Sequence, residues 1–132
     1  MKNAIKITKY IKEILDDNTE LQSMLLIDNE MHVYPIAAKI GTTLPYIIIN
    51  RNLNNVVYSK DGPSNDIINV SVLVVAERYS TSIDIAELVR KALEYKKFSN
   101  DEITIKVIKL RSVAEDMVND LFVQQLNFEA SI

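Results

Sequence analysis

Two kinds of spacing organise this chain: a two-residue alternation of apolar and polar positions, which makes strands, and a three-to-four-residue recurrence, which makes helices. The clearest alternation runs from 66 to 79. There Ile68, Val70, Val72, Val74 and Ala76 share one face, and Asn69, Ser71, Glu77 and Tyr79 lie on the other. A second β-branched run, Leu44-Pro45-Tyr46-Ile47-Ile48-Ile49-Asn50-Arg51, precedes it, and Lys60-Asp61-Gly62-Pro63-Ser64 supplies turn chemistry between the two. An antiparallel pair, one face buried and one partly wet, is the expected outcome.

Helical spacing places Ala4, Ile7, Ile11, Ile14 and Leu15 on one side of residues 2–16. Thr19 followed three residues later by Gln22 fits a capping box and predicts a short helix to about Leu26. A further helix is expected from about Ile83 to Tyr95, capped by Ser80-Thr81-Ser82, with Ile85, Leu88, Val89, Ala92 and Leu93 inward. Met31–Ile36 reads as a short strand that Pro35 confines to an edge or an end, and 37–43 as a loop turning at Gly41. Ile103, Ile105 and Val107 mark another strand. Phe122, Leu126, Phe128 and Ala130 mark the last, with Gln124 interrupting their inward set. The charged stretch 111–120 shows neither period and is readable as a polar loop or as one or two helical turns, a loop with frayed strand ends being the favoured reading. The expected fold is therefore α+β: a mainly antiparallel sheet of about five strands on two helices, in the order α-(α)-β-β-β-α-β-β.

At 132 residues the chain is sized for a single domain, 1–132, able to bury roughly two-thirds of its unfolded surface. The absence of cysteine excludes disulfides, thiolate metal sites and a cysteine nucleophile. A net charge of −3, with Lys and Arg dispersed, argues against specific nucleic-acid recognition. No run approaches the ~18 apolar residues of a membrane span, and no secretory h-region opens the chain, so a soluble, unsecreted protein is expected. Two glycines leave no room for a phosphate-cradling loop.

Candidate chemistry is sparse. His32, the single histidine, sits in a short strand and reads as an ordinary strand residue, and the pairs Asp16/Asp17 and Glu115/Asp116 lack the spacing of a calcium loop. No catalytic residue, cofactor site or metal site is expected. Tyr46, Tyr58 and Tyr79 with Arg51 and Arg78 are either a recognition surface or the flanks of a hairpin, since aromatic residues and Arg are enriched at interfaces. The Asn-rich segment that includes Asn54, Asn55 and Lys60 reads as a projecting loop or hairpin tip, a place where function often sits. The residues alone describe a binding or structural module.

The order of pieces carries more. An amphipathic helix, then His32-Val33-Tyr34-Pro35, Leu44-Pro45-Tyr46-Ile47-Ile48, the Asp61-Gly62-Pro63 turn, Val70-Ser71-Val72 closing in Ala76-Glu77-Arg78-Tyr79, and the helix Ile85-Ala86-Glu87-Leu88-Val89-Arg90-Lys91-Ala92-Leu93 follow one another. With the charged Glu115-Asp116 region and a final alternating strand, this order resembles the tail-completion, or tail-terminator, family of long-tailed phages and prophages over nearly the whole length. The 109–120 region departs from that pattern in its length and irregularity. The resemblance implies a non-enzymatic morphogenesis protein located in the virion tail, and in the bacterial host cytoplasm during assembly. Its implied partners are other copies of itself in a ring, commonly six-fold, the tail-tube protein and the head–tail connector, with no cofactor and no membrane. Tyr46, Arg51, Asn54, Asn55, Tyr58, Lys60, Arg78 and Tyr79 are the candidate subunit or tail-tube contacts. An acidic lumen through which DNA slides without sticking would follow from the net charge. The alternatives are a head–tail connector or minor tail component, a small α+β ligand-binding domain unrelated to phage, and a host-encoded interaction module.

Overall fold

The computed structural model describes residues 4–59 and 62–132. A 3-10 turn at Ala4–Lys6 leads into α1 (Ile7–Asp16), followed by α2 (Thr19–Leu25), β1 (Leu26–Ile27), β2 (Glu30–Met31) and β3 (Val33–Pro35). The long strands β4 (Tyr46–Ser59) and β5 (Gly62–Ala76) come next, then α3 (Tyr79–Leu93). The short strands β6 (Phe98–Ser99) and β7 (Thr104–Ile105) precede β8 (Val107–Val118) and β9 (Leu121–Ser131). Five strands form one sheet in the order β3-β4-β5-β9-β8; only β3–β4 is parallel, and the other three pairs are antiparallel. This is the expected α+β architecture with one parallel pair added at an edge.

All three helices lie on one side. α1 packs on β3 and β4, α3 packs on β5 and β9, and α2 rests on α3. The inward row of β5, Ile68, Val70, Val72, Val74 and Ala76, is fully buried, as its alternation predicts. Ile47 and Ile49 from β4 and Leu126, Phe128 and Ala130 from β9 extend that row across the sheet. Ile7, Ile11 and Leu15 of α1, and Ile85, Val89 and Leu93 of α3, close over it. Each Val, Leu, Ile or Phe among them contributes about 1.5–3 kcal/mol on leaving water, so this apolar layer is what holds helices to sheet.

Several expectations are corrected, each for a local reason. Residues 109–118 belong to a strand, β8, paired with β9 from Val107↔Ser131 to Val118↔Leu121, and Asn119 and Asp120 make the turn. Residues 111–120 are exposed on both faces, so no apolar alternation could mark them; backbone pairing with β9 makes the strand. Of the two readings of the Asn-rich segment the hairpin holds, because β4 and β5 stay paired to Ser59↔Gly62. Lys60 and Asp61 lie outside the described residues. Asn18, not Thr19, caps α2, its Oδ1 accepting from Leu21 N at 3.0 Å, and Gln22 Nε2 donates to the Asp16 carbonyl at 2.9 Å instead of closing a capping box. α3 starts four residues earlier than expected, with Arg78 at its N-cap and no side-chain cap. Ser82 cannot cap because it is buried and donates back to the Tyr79 carbonyl at 2.6 Å. The run 31–36 divides into β2 and β3 around His32. The run 103–107 divides between β7, which hairpins with β6, and the start of β8.

Candidate functional site

The face of the sheet opposite the helices carries none of the three helices, and its chemistry is polar at one level and half-buried apolar at another. β4 and β8 each bulge at the same level, between Arg51 and Leu53 and between Leu110 and Ser112. Between the bulges a row of neutral side chains crosses four strands. Asn52 Nδ2 donates to Ser71 Oγ, Ser71 Oγ donates to Asn127 Oδ1 at 2.8 Å, and Asn127 Nδ2 donates to Ser112 Oγ at 2.9 Å. Gln125 Nε2 also donates to Asn127 Oδ1, at 3.0 Å. Such a row of cross-strand bonds pins register and leaves a surface of amides and hydroxyls. Nearer the end where β4 begins, Ile48, Leu73 and Val123 are half-buried on this same face.

At that end the start of α3 is tied to the β8–β9 hairpin. Tyr79 Oη donates to Glu115 Oε2 at 2.9 Å, Gln124 Nε2 donates to the same oxygen at 3.1 Å and reaches Ser82 Oγ at 3.3 Å, and the Tyr79 ring meets Phe122 edge-on at 5.7 Å. The bond to Glu115 raises the Tyr79 phenol above its ordinary pKa. Donation from Gln124 and Tyr79 holds the Glu115 carboxyl below its own. Gln124, the polar interruption in β9's inward row, is thus the pivot between helix and hairpin. Farther along, Arg111 grips Glu129 in a fork at 2.8 and 3.2 Å, which lowers the Glu129 carboxyl.

The sheet's two edges differ. β3 is three residues long and ends at Pro35, where Ile36, at φ 72°, forms a tight turn with Ala37 N donating to the Pro35 carbonyl at 2.8 Å. That is the rare positive-φ γ-turn, and a β-branched residue there is strained. Beside it a cleft of about 410 Å³ is lined by Ile5, Thr8, Lys9, Lys12, Pro35, Ile36, Asn50 and Arg51. β8 forms the other edge over twelve residues; Ile108 N donates to the Lys96 carbonyl and the Ile108 carbonyl accepts from Tyr95 N near its start. Its hairpin end exposes Val113, Met117 and Val118.

The predicted contact residues do not form one patch. Tyr46, in a T-shaped contact with Tyr34 at 6.5 Å, sits at the end of the sheet where Arg78 and Tyr79 open α3, for Tyr46 is paired with Val75. Arg51 lies five residues along β4, beneath α1. Asn54, Asn55 and Tyr58 are placed by backbone pairing opposite Ile68, Ile67 and Pro63, toward the far end. Twelve residues of strand separate Tyr46 from Tyr58, about 40 Å at ~3.3 Å each. Lys60 lies outside the described residues. His32 is buried, its Nδ1 2.8 Å from the Thr43 carbonyl, which ties down the 37–43 loop. Asp16 pairs with Lys12 at 2.6 Å, and among the described residues no cluster of His, Asp or Glu could hold a metal. No described helix is long and apolar enough to cross a membrane. Ile5, Ile36 and the Asn52–Ser112 row were not readable as site features, since local turns expose the two isoleucines and the facing bulges of β4 and β8 align the row. An exposed-apolar reading of Met117-Val118 beside Asp116 and Asp120 was the one clue available.

No family model and no curated protein sequence matches the chain. Among solved structures, a chain of the virion of a native gene transfer agent (GTA) particle shares its fold, with a TM-score of 0.76 at 15% identity, over 95% of this chain and 92% of that one.

Proposed function

We propose that this chain is a structural protein of a phage-type virion that closes the end of the tail tube as a ring of copies, ends tube growth and offers a surface to the head connector. The observation that carries this reading is end-to-end agreement of fold with a chain of a virion, with neither chain contributing much beyond the shared domain. The order of sequence elements that resembles tail terminators supports the finer role. The unlike edges of the sheet support assembly, because a protomer with two different edges joins head to tail, and such contacts make closed rings when the rotation closes. In this role the protein works by shape and contact, without catalysis or cofactor, and resides in the virion tail after assembly in the host. Its partners are its own copies, the tube protein and the connector.

Light scattering against concentration, with and without the tail-tube protein, tests the proposal. A discrete ring of about six copies, and tubes that stop lengthening when it is added, are expected. A chain that stays monomeric with the tube protein present and leaves tube length unchanged overturns it. Binding to the connector but not to the tube would favour a connector role instead.

A further inference from the structure

The Arg51 cleft, at the β3–β4 edge, and the β8–β9 hairpin tip lie toward opposite edges of the sheet, with β5 between them, and each has what the other lacks. In the cleft, Arg51 faces the helix side, opposite Val70, and its Nη1 is buried with no hydrogen-bond partner among the described residues. A buried guanidinium N–H without an acceptor is costly, so the site is built to receive one. Lys12 is already paired with Asp16, and Lys9 lies over the Tyr10 ring at 5.4 Å. The rim is apolar: Ile5 and Ile36 are each 76% exposed, and the strained turn holds Ile36 there. Backbone strain kept at an exposed aliphatic residue is a mark of a contact surface.

The hairpin tip is the complement. Asn119 and Asp120, at φ 52° and 64°, make a two-residue turn of the tight positive-φ kind, which fixes the tip's shape. Asp116 and Asp120 enter no ion pair among the described residues. Between them Met117 is 54% and Val118 49% exposed. An acidic tip with a flexible thioether fits a cationic cleft with an aliphatic rim. The two cannot meet within one chain, because three strand spacings of ~4.8 Å put about 14 Å between Arg51's strand, β4, and β8.

We propose that the hairpin tip of one copy seats in the Arg51 cleft of the next, an aspartate meeting the guanidinium and Met117 lying against Ile5 and Ile36. The contact rests on the ring reading and names the surfaces that would close it.

The chain has no cysteine, so single thiols report contact cleanly. Ile36→Cys mixed with Met117→Cys and a short bis-maleimide should give a cross-linked pair, whereas either variant alone should not; the double variant should give a ladder ending at the ring. Arg51→Glu should weaken association at least ten-fold, and adding Asp116→Arg and Asp120→Arg to it should restore most of the loss. Rings that form without the 36–117 cross-link, or an Arg51→Glu variant that assembles like the parent, overturn the contact and leave the ring reading standing. A ladder that never closes upholds the contact and sinks the ring. Neither ring nor cross-link at any concentration sinks both.

Discussion

The two faces of the sheet are made by alternate residues of the same strands, yet they are held by different physics. On the helix side, β5 presents Ile68, Val70, Val72 and Val74, none more than 1% exposed, and binding to the helices is non-directional apolar burial. On the other side the same strand presents Ser71, which is nearly as buried at 3% but only as part of a hydrogen-bonded row from Asn52 to Ser112. The inner face fixes that helices and sheet stay together. The outer face fixes how the strands are aligned, since each bond in the row is met at one register only.

Substitutions should separate these roles, the largest effect coming from the inner face. Phe128→Ala removes the largest fully buried side chain among the described residues and should cost about 3–5 kcal/mol, read as a shift of the urea midpoint. A loss comparable to that of Ser71→Ala would mean that Phe128 is not the centre of the core. Ser71→Ala breaks two bonds of the outer row and should cost about 1–2 kcal/mol. Amide exchange should quicken in β4, β5 and β9 around the row while the helices keep their protection; equal loosening throughout would contradict a registering role.

Acid should act next, and at the hairpin end. Glu115 and Glu129 both titrate below their ordinary value of 4.5, so their bonds stabilise the fold above that value and are lost as pH falls through the lower folded values. Exchange in β8 and β9 should therefore rise below about pH 4.5 ahead of exchange in α1, and Glu115→Gln should flatten that rise. An unchanged acid profile in the variant would remove Glu115 from the account. The smallest effect is expected for Arg111→Ala. Its fork to Glu129 is half open to solvent, so water screens the pair and the coupling read by a double-mutant cycle with Glu129→Gln should be slight.

The inner face was legible from sequence because burial imposes a period. The inward row of β5, the stripe of α1 and that of α3 all stand where alternation and helical spacing put them. β8 was illegible for the converse reason: between Arg111 and Asp120 neither face is covered, so nothing constrains which positions are apolar, and only the partner strand β9 decides the conformation. The α3 start was misplaced because the serine that promises a cap is drawn inward by Gln124. Of the candidate contacts, residue type pointed to Tyr46, Arg51 and Tyr79. Their separation along β4 and around α3 could not be known without the register.

By itself the sequence determined the α+β class, the pairing of the two long central strands and the absence of any thiol, because composition and periodicity are local properties that burial writes into the chain. The tertiary structure alone decided which strand lies beside which, that β4 and β8 bulge at one level, that Gln124 joins helix to hairpin, and that a basic cleft and an acidic tip stand at opposite edges. Those depend on residues far apart in sequence meeting across strands, and no local pattern encodes the meeting.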